Sequence, residues 1–335
     1  MKTAESLTTI RFDGESVVYL DQRRLPLHEH LVHARTVDDF VEAIASLGVR
    51  GAPAIGIFGA YGVALLAQQA SNEERLRQDA ARIRAARPTA VNLGWAVDRV
   101  LAAPDKLAEA RAIHHEQIEV DRRLAHTALE LFPRDAAVFT HCNTGPIATG
   151  GGGTALGAII HAAAAGRRLR VFVGETRPLL QGARLTMFEL RRAGVEATLV
   201  VDSAAAAVMQ QKKIDLIIVG ADRIARNGDT ANKIGTYGLA IAAAHHRIPF
   251  YVAAPRSSFD LALADGRAIP IEERSAEEVT ASGANVYNPA FDITPGHLIT
   301  AFVTEYGVLR PPYAESLPEL VTCPSITVLM AAAGT

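Results

Sequence analysis

After Pro133 the chain alternates short β-rich runs with helix-length segments, and this alternation restricts the fold more than any other feature. The runs are Ala137–Thr140, Arg170–Val173, Ala197–Val201, Leu216–Val219 and Phe250–Ala253. The segments between them, near Thr154–Ala165, Gly182–Ala193, Ala204–Gln211 and Gly235–His246, carry helical patterning. Strand and helix in regular turn predict a parallel, doubly wound sheet with helices on its faces. In such sheets ligands bind beyond the carboxyl ends of the strands, so the loop after each run is where chemistry is expected.

The first third reads differently. Thr8–Phe12 and Ser16–Leu20 flank Asp13-Gly14, a hairpin signal. Thr36 and Asp39 have capping-box spacing, and Phe40, Val41, Ile44 and Leu47 then recur at helical intervals, with Gly48 as the expected stop. Pro53 suits the first turn of a second helix running to about Gln69. Charged, Ala-rich helices are expected near Glu73–Ala86 and Asp105–Leu131, with a break and restart across Arg87–Leu93. The expected fold class is therefore α/β: a mainly helical domain over residues 1–130, opened by a short hairpin, then a parallel-sheet domain over 131–335.

Composition narrows the function. With 49% apolar and 21% charged residues and a formal charge of -2, the chain lacks the basic surplus of a nucleic-acid or anionic-membrane binder. The clusters Arg23-Arg24, Arg167-Arg168 and Lys212-Lys213 read as solvated surface. No apolar run approaches the length of a membrane span, and no signal peptide is visible. Two cysteines, Cys142 and Cys323, provide neither metal-ligand spacing nor a disulfide framework, and a reducing compartment, the cytoplasm, fits them best.

The loop after the first run is Thr140-His141-Cys142-Asn143-Thr144-Gly145-Pro146, followed by the glycines 150–153. A thiol at a strand end, before small residues that open a helix, is well placed to be reactive, because backbone N–H groups and a helix N-terminus favour thiolate. By position alone it is equally an inert buried cysteine. His141 is an acid/base candidate or a hydrogen-bonded structural histidine. The glycine run is not closed by Gly-Lys-Ser/Thr and does not have dinucleotide-fingerprint spacing. Asp222 follows the apolar run Leu216–Val219, where partial desolvation would raise its pKa and suit it to general acid/base work; otherwise it caps a helix or partners Arg223. Asn232 and Lys233 precede a helix start and suit an anionic ligand. The polar stretch Gly174–Arg184 is a ligand-facing turn or a solvated loop, and Arg50 and Arg87 are phosphate ligands or surface charges.

Taken together and in order, these segments resemble the methylthioribose-1-phosphate isomerases, a family sharing a superfamily with the α, β and δ subunits of translation initiation factor 2B. The resemblance rests on Arg50-Gly51-Ala52-Pro53-Ala54-Ile55-Gly56, Arg87–Leu93, His141–Gly145, Glu175-Thr176-Arg177-Pro178 through Leu185-Thr186, and Gly220–Ile224. It continues in Asn227–Asp229, Ala231–Tyr237, Ile248–Pro255, Pro270–Arg274 and Asn288–Asp292, so it covers nearly the whole chain. It implies a Rossmann-like second domain, a homodimer, and conversion of a 1-phosphorylated aldose to the ketose 1-phosphate without metal or other cofactor. By motif, Cys142 and Asp222 are the catalytic pair, and Arg50, Gly51, Ala52, Arg87, Gln181, Asn232 and Lys233 hold the sugar phosphate.

Three positions depart from the family pattern. Gly152 replaces a tyrosine beside the cysteine loop, Gly94 a larger residue before Trp95, and Gly174 an aspartate before Glu175. They leave open a paralogue that isomerises 5-deoxyribose 1-phosphate or another 5-substituted ribose 1-phosphate. A non-catalytic regulatory subunit like the initiation-factor relatives is the alternative of a different class; retention of Cys142 and Asp222 argues against it.

Overall fold

The computed structural model describes residues 7–87, 90–318, 320 and 323–324. Pro88 and Thr89, within the Arg87–Leu93 motif, lie outside the described residues. The chain divides into two compact units, residues 1–119 with 146–153, and residues 120–145 with 154–335.

The first unit starts with an antiparallel sheet, β1 (Ile10–Phe12), β2 (Val17–Leu20) and β3 (Leu31–Ala34). The hairpin about Asp13-Gly14 forms as expected; β3 is an addition. Four helices follow: α1 (Val37–Ala45), α2 (Ala52–Gln69), α3 (Glu73–Ala85) and α4 (Val91–Ala102). Thr36 and Asp39 form the predicted capping box. The left-handed residue after α1 is Leu47, at φ +64°, rather than Gly48. A Cβ on Gly48 would lie 3.3 Å from the Ala43 carbonyl oxygen, so this glycine serves close approach. Nearly all of α2 is buried, from Ala54 to Leu66, which explains why it reads as a continuous apolar run. Phe40, Phe58, Ile83, Leu93 and Val97 form the core around it. Helix α5 (Lys106–Ala128) carries the chain onward, its residues from Val120 counting with the second unit.

The second unit holds a seven-stranded sheet of β4 (Asp135–Thr140), β5 (Arg168–Gly174), β6 (Ala197–Val200), β7 (Leu216–Val219), β10 (Phe250–Ala253), β13 (Ala301–Thr304) and β14 (Gly307–Leu309). Its order is β14-β13-β10-β7-β4-β5-β6, parallel except for the β13–β14 pair. All five predicted strands are present. The short α6 (Pro146–Thr149) belongs to the first unit, and α7 (Ala155–Ala164), α8 (Met187–Arg192), α9 (Ala205–Gln211) and α10 (Thr236–His245) occupy the predicted helical segments. Two apolar layers, one around Val138, Leu156, Val171 and Ile218 and one around Phe139, Ile217, Leu239 and Phe302, make the core. A second sheet, β11-β8-β9-β12, formed by Phe259–Asp260, Arg223–Ala225, Thr230–Lys233 and Phe291–Thr294, was not legible in the sequence. Helix α11 (Tyr313–Ser316) follows β14. No helix among the described residues is long and apolar enough to cross a membrane.

Candidate active site

Strands β4 and β7 are parallel neighbours with Phe139 opposite Ile217, and the Thr140 hydroxyl donates to the Ile218 carbonyl at 2.8 Å. The loops bearing Cys142 and Asp222 therefore leave the sheet side by side at its carboxyl edge. The two loops pack closely, since a Cβ on Gly220 would fall 2.6 Å from the Thr144 side-chain methyl Cγ2. The pairing of strands thus sets side by side two loops whose key residues are 80 positions apart in sequence.

Cys142 is buried and adopts φ +64°, in the left-handed region that a residue with a Cβ enters at a cost of about 1–2 kcal/mol. Its N–H donates to Thr176 Oγ1 at 2.9 Å, and its carbonyl accepts from Thr186 Oγ1 at 2.6 Å. Asn143 Nδ2 donates to Thr186 Oγ1 and to the buried Glu189 carboxylate, at 3.1 and 2.5 Å. Gly145 is required here because a Cβ would lie 2.4 Å from Glu189 Oε2. The helix directly after this loop, α6, is a single turn, so the helix dipole expected to favour the thiolate is small.

His141 takes the structural reading. It is buried, its Nε2 bonds the Ile234 carbonyl at 2.9 Å, and its Nδ1 lies 3.8 Å from Asp202 Oδ1. Burial pulls its pKa below the usual histidine value, against the opposing pull of that carbonyl and of Asp202.

Asp222 departs from expectation. Its N–H donates to the Ala231 carbonyl, which fixes its backbone to β9, but the residue is exposed rather than desolvated. The apolar run before it ends at Val219, and β8 turns the chain outward from the main sheet. The helix-cap alternative falls, because a strand follows Asp222.

The remaining residues of this unit gather around the same edge. Asn232 and Lys233 lie on β9, beside the Ala231 that receives the Asp222 N–H. Asn232 is buried and donates to Thr236 Oγ1; Lys233 donates to the Ala290 carbonyl at 2.9 Å and lies over the Phe291 ring. Asp292, opposite Asn232, accepts the Gly235 and Tyr237 N–H groups, and burial nevertheless pushes its pKa up to about 6. Gln181 is 3% exposed, and its Oε1 has no hydrogen-bond partner among the described residues. Such a buried oxygen costs about 1–3 kcal/mol until a donor reaches it. Directly after Gln181, Gly182–Thr186 form a π-helical turn in which the Met187 N–H bonds the Gly182 carbonyl. Insertions of this kind recur at functional sites.

Arg50, Gly51, Ala52 and Arg87 belong to the first unit. Gly51, at φ +99°, caps α2, and a Cβ there would lie 2.1 Å from the Ala148 carbonyl oxygen. The Arg50 carbonyl and the Ile147 carbonyl both accept from the Gln22 amide, tying the arginine loop to α6. Arg87 is half-buried, its carbonyl accepting the Ala90 N–H before α4. His114 bonds Tyr61 Oη through Nδ1 and the Gly150 carbonyl through Nε2, which anchors the glycine run. Among the described residues no three His, Cys, Asp or Glu side chains gather as metal ligands.

Sequence reasoning assigned no role to Thr176, Thr186, Glu189 or Asp202. The signals for the first two were the family motif that runs from Glu175 to Thr186 and, for Thr176, its place in the polar stretch after β5; the partners they bond come from distant segments.

A Rossmann-like sheet following a helical unit, with Cys142 and Asp222 on the loops after adjacent strands, is the class of α/β fold that binds its ligands beyond the carboxyl ends of the strands. Comparison with known proteins identifies the lineage. Residues 48–311 match the Initiation factor 2 subunit family, and the chain belongs to that family. Methylthioribose-1-phosphate isomerase of Pelotomaculum thermopropionicum is 50% identical over 94% of both chains. The protein of that name from Heliobacterium modesticaldum is 49% identical over 93% of this chain and 98% of its own. Among solved structures, 5-methylthioribose 1-phosphate isomerase from Pyrococcus horikoshii superposes with a TM-score of 0.88 at 40% identity, covering 95% of this chain and 97% of that one. The A. fulgidus protein described as initiation factor eIF-2B subunit delta superposes with a TM-score of 0.87, also at 40% identity, over 95% of this chain and all of that one.

Proposed function

We propose that the protein is an aldose–ketose isomerase that converts 5-methylthioribose 1-phosphate to 5-methylthioribulose 1-phosphate, as in methionine salvage. Relatives at 50% identity over nearly the full chain bear that enzyme's name. The observation that carries the reading is the buried Gln181 Oε1, unsatisfied among the described residues and directly before the turn whose Thr186 bonds the Cys142 carbonyl, an acceptor suited to a sugar hydroxyl. Cys142 and Asp222 are the catalytic pair. Arg50, Gly51, Ala52 and Arg87 contribute cations and N–H groups for the phosphate, and Gln181, Asn232 and Lys233 hold the sugar. The enzyme works as a homodimer in the cytoplasm, where its two cysteines stay reduced.

With C1 phosphorylated, the furanose cannot open by loss of an anomeric hydroxyl proton. The ring oxygen takes a proton as its bond to C1 breaks, a hydrogen moves from C2 to C1, and the C2 hydroxyl gives up its proton as the ketone forms, so the protons balance and no outside oxidant is required. Asp222 delivers the first proton; because it is exposed in the free chain, the bound sugar has to shield it from water for it to hold that proton at neutral pH. Cys142 serves the hydrogen transfer. Each role typically contributes ~10²–10⁴-fold. Purified protein with the sugar phosphate in D₂O, followed by NMR, tests the reaction; deuterium uptake marks proton exchange. C142S and D222N should each lower kcat at least ~10²-fold. Near-normal turnover by C142S would remove the thiol from the mechanism. Equal or better turnover of 5-deoxyribose 1-phosphate would replace the substrate.

A further inference from the structure

Two buried threonine hydroxyls grip the peptides on either side of Cys142. Thr176 and Thr186 are both fully buried. Each uses its hydroxyl in both directions. Thr176 Oγ1 donates to the Gly174 carbonyl at 3.0 Å, which leaves a lone pair for the Cys142 N–H. Thr186 Oγ1 donates to the Cys142 carbonyl, which leaves a lone pair for Asn143 Nδ2. One bond fixes the peptide plane before the cysteine and the other fixes the plane after it, so both backbone torsions are held.

The clamp is itself braced. Thr176 is a β-branched residue at φ +68°, a conformation such residues avoid. The Asp202 carboxylate keeps it there, accepting the Thr176 and Arg177 N–H groups at 2.9 and 2.7 Å. Thr186 closes the π-helical turn that starts after Gln181. A glycine would take the left-handed conformation at position 142 without strain. The chain instead keeps a side chain there and surrounds it with bonds that enforce the conformation. That arrangement has a use only if the direction of the Cys142 Cα–Cβ bond matters.

We propose that Thr176 and Thr186 are positioning residues, which hold Cys142 in its left-handed conformation and so aim its thiol at the substrate. The inference rests on Cys142 being the reacting thiol. Released from the clamp, the residue relaxes toward negative φ and its sulfur swings away, and a displacement of about 1 Å is enough to cost ~10²-fold in rate.

The test compares valine, which keeps the shape and removes the hydroxyl, with serine, which keeps the hydroxyl. T176V and T186V should lower kcat roughly 10- to 100-fold with KM within about threefold, and T176S and T186S should stay within about threefold of wild type in kcat. Independently, the pH profile of iodoacetamide alkylation is read at Cys142 by mass spectrometry, with the half-buried Cys323 as internal reference. The valine variants should shift the Cys142 profile and leave Cys323 unchanged. Valine variants matching wild type in both kcat and alkylation, or serine variants as impaired as valine, overturn the proposal. A position whose valine variant does not fold is read from its alanine variant; failure of both to fold counts against the proposal, since the hydroxyl would then hold the unit rather than the thiol. C142S separates the two levels. If C142S turns over normally, the catalytic reading fails while alkylation still reports on the clamp. If C142S is inactive and the valine variants are normal, the clamp alone fails.

Discussion

Gly51→Ala offers a sharp test of how the first unit is built, because a matched control exists in the same unit. Gly51 sits at φ +99° with its Cβ position 2.1 Å from the Ala148 carbonyl oxygen and 2.7 Å from Ala148 Cα. Gly14 sits at φ +103° with nothing among the described residues within 4 Å of its Cβ position. Both substitutions force a Cβ into the left-handed half of the backbone map, at about 1–2 kcal/mol. Only Gly51→Ala adds a collision, and it is with backbone, which cannot rotate away. Restoring a 3.4 Å contact requires a 1.3 Å retreat (3.4 less 2.1) of α6 or of the start of α2. Overpacking of this kind costs about 1–3 kcal/mol more. Calorimetry should therefore give a Tm loss of about 2–5 °C for G14A and roughly double that for G51A. The isomerase assay should separate them further, with G14A near wild type and G51A reduced ~10²-fold, because Arg50 and Ala52 move with the displaced loop. Equal Tm losses, or full activity in G51A, would refute the close approach of Gly51 to Ala148.

Thr36→Ala removes the hydroxyl that accepts the Asp39 N–H and should cost about 1 kcal/mol in urea unfolding; no measurable loss would mean that the capping box contributes nothing. Gly174→Ala puts a Cβ 2.8 Å from His141 Nδ1 and 3.1 Å from Asp202 Oδ1, and should destabilise by about 1–3 kcal/mol; an unchanged melting curve would show that the histidine ring moves freely. Asp292 has its pKa raised to about 6 from 3.8, chiefly by burial, so the folded chain keeps a proton that the unfolded chain releases. Wild-type stability should accordingly fall as pH rises from about 4 through about 6, by at most about 3 kcal/mol, and D292N should lose that slope. Parallel pH–stability curves for the two proteins would place the carboxyl in water.

The sequence by itself determined the features governed by local chemistry. Leu216–Val219 and Phe250–Ala253 read as strands because a strand buried on both faces is apolar at every position. The capping box and the first hairpin were legible because their donors and acceptors lie within a few residues. The motifs around Cys142 and Asp222 indicated where chemistry would lie, and parallel pairing of β4 with β7 sets their loops side by side. Only the tertiary structure decided the rest. Strands β8 and β9 look like a polar loop, and they are strands because β11 and β12, drawn from far along the chain, pair with them. Asp222 was expected in an apolar setting, yet the outward turn of β8 exposes it. The left-handed conformation of Cys142 has no sequence signature, since no residue beside it requires one. It follows from hydroxyls 34 and 44 positions away, and a local pattern carries no information about partners at that distance.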